Sequence, residues 1–187
     1  MYTISMKVLY HGSAIQNLTK IKPKEAGHNK SYVYAVSELA FAAIFSVEKR
    51  NSLVAKWGRD DKGLPFFCEK TKGSFDLFYK NKKSSIYVLD SARFFQEENM
   101  WSEEYISKQE ELVIKEIKIE DVKEYLLNLE KGKRFKFIRY EERRKYFPNI
   151  DKEGMRDVKK MVEKYGKEKT MKVLKKWRPD LLKELNL

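Results

Sequence analysis

Two stretches decide how this chain is read: Leu9-Tyr10-His11-Gly12-Ser13, and, after a polar tract, Tyr32-Val33-Tyr34-Ala35-Val36-Ser37-Glu38-Leu39-Ala40-Phe41-Ala42-Ala43-Ile44-Phe45. The first closes a β-prone run, Met6-Lys7-Val8-Leu9-Tyr10, with Met1–Ser5 as an upstream extension, and it ends in a histidine and a glycine whose backbone no side chain covers. The second begins as an aromatic strand over Tyr32–Ala35. It then turns into an almost wholly apolar helix over residues 39–45, with Ser37 placed to cap it and Glu38 at the positive end of its dipole. A helix this apolar must be buried. An imidazole to bind a hydroxyl, bare backbone for close approach and flat rings for stacking together predict a nucleotide pocket.

Working outward, residues 15–30 are mostly polar, with Pro23 and Gly27, and read as a long loop. From Leu53 to Leu89, apolar runs alternate with Gly, Pro, Asn and Ser. Leu64–Cys68, Phe75–Tyr79 and Ile86–Leu89 read as short strands of a mostly antiparallel sheet, joined by loops such as Asn81-Lys82-Lys83-Ser84. Leu112-Val113-Ile114 and the alternating Ile117-Lys118-Ile119 suggest one more strand. A helix follows from about Glu120, with Val122, Tyr125, Leu126 and Leu129 on one face and Gly132 as its stop. Beyond it, Met155, Val158, Met161, Val162 and Tyr165, then Met171, Leu174 and Trp177, recur at helical spacing and predict a basic helical hairpin.

The chain has 187 residues, within the range of one main domain, with a helical appendage. Although 36% of residues are charged and mean hydropathy is −0.68, apolar residues make up 42% and aromatics 13%, which excludes global disorder. No apolar run approaches the ~20 residues of a membrane span, and the N-terminus lacks a basic region leading into an apolar signal segment. A cytoplasmic protein with no membrane contact is expected. The single cysteine, Cys68, has no Cys or His at metal-ligand spacing and reads as a buried small residue. Walker, dinucleotide Gly-x-Gly-x-x-Gly, His-Glu-x-x-His and Gly-x-Ser-x-Gly signatures are absent, and His11 and His28 are the only histidines, so no metal is expected.

Charge is segregated. Residues 1–130 carry 20 Lys and Arg against 19 Asp and Glu, whereas residues 131–187 carry 20 against 9. Such an excess suits a polyanion; a solvated lysine-rich surface is the plainer alternative.

The His11 segment and the Tyr32–Ala42 segment resemble the first two motifs of the ADP-ribosyltransferase superfamily, in the branch that uses a His-Tyr-Glu trio, as diphtheria toxin and the poly(ADP-ribose) polymerases do. The resemblance spans about the first 120 residues. It implies NAD as substrate. His11 would donate a hydrogen bond to the adenosine ribose, and the Gly12 backbone, beside Ser13, would receive the nicotinamide carboxamide. Tyr34, or Tyr32 two residues earlier on the same face, would stack on the nicotinamide, with Phe41 or Phe45 as the opposite wall. The third element is a glutamate opening a late strand, and Gln109-Glu110-Glu111-Leu112-Val113-Ile114 fits it. Glu111 is the catalytic candidate, Glu110 the fallback, and Gln109 completes the Gln-x-Glu element. The absence of arginine from residues 15–30 disfavours the RNA 2′-phosphotransferase activity found on this fold.

The expected architecture is therefore α+β: a split, mostly antiparallel sheet with helices over residues 1–132, resembling an ADP-ribosyltransferase core, and a basic α-helical subdomain over 133–187. The expected function is mono-ADP-ribosylation of a macromolecular acceptor, protein or nucleic acid, engaged through residues 133–187. A non-enzymatic nucleotide- or nucleic-acid-binding protein on the same scaffold is the alternative, and a partner-docking protein a further one.

Overall fold

The computed structural model describes residues 7–25, 30–47, 52–98 and 100–184; Met1–Met6, Gly27 and His28 lie outside the described residues. In chain order the elements are β1 Val8–Ser13, β2 Lys20–Ile21, β3 Lys24–Glu25, β4 Ser31–Val36, α1 Leu39–Phe45, β5 Ala55–Arg59, β6 Pro65–Glu69, α2 Ser74–Tyr79 and β7 Ser84–Asp90. They continue with β8 Glu104–Ser107, β9 Glu111–Leu112, β10 Lys115–Ile119, α3 Val122–Lys131, β11 Lys136–Ile138, α4 Arg143–Tyr146, α5 Ile150–Tyr165, α6 Lys167–Trp177 and α7 Pro179–Glu184. The class is α+β with mainly antiparallel pairing. Among the described residues no helix is long and apolar enough to cross a membrane.

The chain divides into two compact units, one of residues 1–50 and 79–132, the other of 51–78 and 133–187. One break between the units falls after Gly132. The grouping of 51–78 with the C-terminal segment differs from expectation, and it gives the second unit a sheet of its own.

In the first unit the strands run β10-β7-β1-β4-β3, with β8 also paired to β4, and β2 and β9 form a separate pair. Strand alternation sorts the faces. Leu9, Ile21, Val33, Ala35, Tyr87 and Leu89 form one buried cluster. On the opposite face lies α1, whose Phe41, Ala42, Ala43 and Ile44 have no exposure at all. Removing a Phe- or Ile-sized side chain from water contributes about 1.5–3 kcal/mol, so α1 is held by packing. Its start differs from expectation: Glu38, not Ser37, is the N-cap, and no side chain caps it. β1 does not stop at Tyr10 but runs on through His11, Gly12 and Ser13. α3 is capped by Asp121, which accepts from the Glu124 amide at 3.1 Å. It ends at Gly132 with φ −79°, a value open to any residue; the left-handed position is the next one, Lys133, at φ 55°.

In the second unit β5 and β6 are antiparallel and β11 lies parallel to β6. Phe75–Tyr79, expected as a strand, is α2 instead. Glu69, itself buried, accepts from the Phe75 amide at 2.9 Å and so caps the helix start. Phe75, Phe78 and Tyr79 are buried while Asp76 and Leu77 are exposed, which is the helical period. The Phe75 ring stacks on Phe137 at 4.0 Å. Arg178 is the largest fully buried side chain among the described residues. It donates to the Leu53 carbonyl at 2.8 Å and clasps the Asp180 carboxylate at 2.7–3.1 Å, which satisfies the guanidinium.

Candidate functional site

β1 and β4 are in register at Tyr10–Val36 alone among the described residues, whereas β1 pairs with β7 along its whole length, from Val8–Asp90 to Ser13–Ser85. Just past the last β1–β4 pair, the His11 side chain takes up the link. Its Nδ1 lies 2.6 Å from the Tyr34 carbonyl, an acceptor only, so Nδ1 carries the hydrogen. Burial lowers the His11 pKa from 6.5, the Tyr34 carbonyl works against that shift, and Lys24 adds to it. The ring is neutral near pH 7, and its free Nε2 is an acceptor. This corrects the expectation that His11 donates to a ligand hydroxyl.

Gly12 has a structural reason of its own. A Cβ there would lie 2.0 Å from the Ala42 carbonyl oxygen and 2.9 Å from the Ser46 amide, so the backbone of α1 sits against β1 only because the residue is glycine. The Ser13 hydroxyl accepts from the Ile15 amide at 3.1 Å and serves the turn that leaves β1.

β4 carries Val33–Val36 opposite Ser107–Glu104 of β8. Tyr32 is buried, and its hydroxyl donates to Glu97 at 3.0 Å. Tyr34 is half-buried, and its hydroxyl donates to the Lys30 carbonyl at 3.2 Å. The two rings meet edge to face at 6.0 Å. Of the two, Tyr34 keeps the more open ring. Phe41 is fully buried and therefore a core residue rather than a wall. Phe45 is half-buried, and Trp101 stands edge-on to both at 4.9 and 5.3 Å.

Glu111 is buried at the start of β9, opposite Ile21 of β2. One carboxylate oxygen accepts from the Ser107 hydroxyl at 2.5 Å and the other from Arg93 at 2.8 Å. The same guanidinium donates to Gln109 at 3.1 Å, so Arg93 brackets the Gln-x-Glu element. Asp90 caps the short turn Ser91–Arg93 through the Ala92 amide, which fixes where Arg93 leaves the backbone. Glu110 points elsewhere, to an ion pair with Lys20 at 2.9 Å.

Alternation places these groups in two sets. His11 follows Leu9 onto the face of the Leu9–Val33–Tyr87 cluster, and Ser107, opposite Val33, shares it. Tyr32 and Tyr34 point to the other face, the one covered by α1. His11, Ser107 and Glu111 thus belong together, as do Tyr34 and Phe45, with the end of the β1–β4 ladder between them.

Sequence reading did not single out Arg93, Ser107, Trp101, or a polar row beside His11. Tyr87 stands opposite His11 in β1 and opposite Glu116 in β10. Glu116 accepts from Ser85 at 2.6 Å and from the Asn17 amide at 2.8 Å, contacts that hold its carboxyl below the ordinary value. The Tyr87 hydroxyl accepts from the Leu18 amide at 3.1 Å and lies 2.9 Å from the Ile15 carbonyl. The loop after β1 is thereby tied to β7 and β10. Only the strand register could have paired these residues, and the register is not visible in the sequence.

No group of His, Cys, Asp and Glu suited to a metal ion occurs among the described residues. The chain matches no protein-family model, no curated protein and no solved structure.

Proposed function

We propose that this chain transfers ADP-ribose from NAD to a macromolecular acceptor, releasing nicotinamide, on a scaffold related to the ADP-ribosyltransferases. One continuous run of contacts supports this reading above all. His11 binds the Tyr34 carbonyl, Val33 beside Tyr34 stands in register with Ser107, and the Ser107 hydroxyl binds Glu111. Residues far apart in sequence, which the resemblance would require to cooperate, are therefore linked strand by strand.

In this reaction the bond between ribose C1′ and the nicotinamide nitrogen breaks, and its electron pair leaves with nicotinamide. Positive charge develops over C1′ and the ring oxygen; the acceptor nucleophile then bonds to C1′ and gives up its proton. Glu111 faces the developing charge and hydrogen-bonds the nicotinamide ribose, and each ~1.4 kcal/mol of such stabilisation is tenfold in rate. Arg93 and Ser107 orient the carboxylate. The free Nε2 of His11 accepts from an adenosine ribose hydroxyl, and the Gly12 backbone, at the edge of β1 where the β4 ladder has ended, receives the carboxamide. Tyr34 and Phe45 enclose the nicotinamide ring. NAD as substrate and a lone buried thiol suit a cytoplasmic protein.

Isothermal titration with NAD and a nicotinamide-release assay test the proposal. Glu111→Gln should keep NAD binding while release falls on the order of 10²–10³-fold. Absence of NAD binding, or turnover unchanged by Glu111→Gln, overturns it. The full occupancy of both Glu111 oxygens by protein donors favours one second reading, a pocket that holds the nucleotide without cleaving it; NAD bound by the parent chain with no nicotinamide released would select that reading.

A further inference from the structure

The charges of α5 are sorted by exposure and by partner. Its acids Asp151, Glu153 and Asp157 are half-buried, and each meets a cation of its own unit: Asp151 meets Arg144 at 2.8 Å and Arg143 at 3.5 Å, Glu153 meets Lys56 at 2.8 Å, and Asp157 meets Lys70 at 3.5 Å. Lys152, Arg156, Lys160 and Lys164 are exposed and make no ion pair among the described residues. They recur four residues apart, so neighbours stand ~6 Å from one another and the row runs ~18 Å. Lys159 flanks it, and Glu163 is the one exposed acid of α5. Like charges at this spacing oppose the helix that carries them, an opposition that an anion laid along the row removes.

The row also specifies its anion. Its apolar neighbours Met155, Met161 and Val162 turn inward and are half-buried, which leaves no aliphatic anchor for lipid. Tyr165, the last of the helically spaced residues of α5, is 50% exposed at the end of the row, with the Lys164 ammonium 5.2 Å from its ring. An exposed ring beside a line of cations suits a base beside its phosphates. We propose that α5 binds single-stranded nucleic acid, with the backbone along Lys152, Arg156, Lys160 and Lys164 and an unpaired base stacked on Tyr165. This surface is independent of the NAD reading, and its test contains no NAD.

Fluorescence anisotropy of the full chain with a labelled oligothymidylate of about 20 nucleotides, between about 50 and 200 mM salt, reads both terms. The quadruple variant Lys152→Gln, Arg156→Gln, Lys160→Gln and Lys164→Gln should flatten the log–log salt slope by about 3, since each neutralised phosphate of a single strand contributes about 0.7. Replacing the same lysines by arginine should keep the slope. Tyr165→Ala should weaken binding about tenfold at unchanged slope. A control triple, Lys22→Gln, Lys115→Gln and Lys118→Gln, should stay within about twofold of the parent, with circular dichroism showing every variant folded. The proposal is overturned if the parent shows no salt-dependent binding, if the quadruple variant retains the slope, or if poly-L-glutamate of matched charge competes as well as the oligonucleotide.

Discussion

At Gly12 a single hydrogen in place of a methyl group lets a helix lie on a strand. Gly12→Ala should destabilise the protein by about 3 kcal/mol, because the added Cβ meets backbone that cannot rotate away; urea unfolding should show this at unchanged m-value. A cost near zero would mean that α1 does not seat on β1. His11 makes a second prediction. Its folded pKa lies below its unfolded 6.5, so the unfolded chain takes up the proton first. The His11 contribution is whole above pH 6.5 and is lost as pH falls from there through the depressed folded value. The fall in stability between about pH 6.5 and 5 should therefore be smaller in His11→Gln than in the parent, with carboxylates acting only at lower pH. Equal falls in the two proteins would remove the imidazole from the accounting. His11, Tyr34 and Glu111 were legible as residue types, but their partners were not: Arg93 and Ser107 reach Glu111, and Trp101 reaches Phe45, through register and turn geometry that no local pattern encodes.

Elements were legible where one face is apolar and long enough to show a period. β4, α1, β7, α3, α5 and α6 read correctly for that reason, while the short α4 and α7 were not foreseen. Phe75–Tyr79 was misread because its short apolar run fits either period, and the deciding contact is a carboxylate cap from Glu69. β2, β3, β5, β8 and β11 were missed: β2 and β3 are two residues each within a tract read as a loop, β5 and β8 are held by pairing to β6 and β4, and β11 is three residues laid parallel to β6. The junction of α6 and α7 depends on Arg178, which hydrogen-bonds the Leu53 carbonyl from a fully buried position. Arg178→Ala should cost about 2–4 kcal/mol, through the void and the lost hydrogen bonds. Chemical unfolding measures it, and a change under about 0.5 kcal/mol, typical of a surface site, would show that the guanidinium is dispensable. In β6, burial pushes the Cys68 thiol up to about 12, so an aromatic disulfide reagent should modify it only once the protein unfolds. Rapid labelling of the native chain would contradict its place in the core.

For the whole molecule, two units of interleaved chain replace the expected division in order. The second unit draws on residues 51–78 as well as 133–187, so removing everything after Gly132 takes away Phe137, Ile138, Phe147 and Ile150 from Phe66, Phe75 and Cys68. Hydrogen exchange of the shortened chain should lose protection over 51–78 and retain it in β1, β7 and β10. Retained protection in β5 and β6 would restore the simpler division. Composition, the segregated charge, the buried helix after an aromatic strand and the order of His11, Tyr34 and Glu111 were determined by the sequence alone, because local periodicity and residue chemistry carry them. Tertiary structure decided which strand meets which, that α1 bears on Gly12, that Arg93 brackets Gln109 and Glu111, and that 51–78 belongs with the C-terminal helices. These depend on pairing between distant segments, where many registers satisfy the same local pattern and only the packed whole selects one.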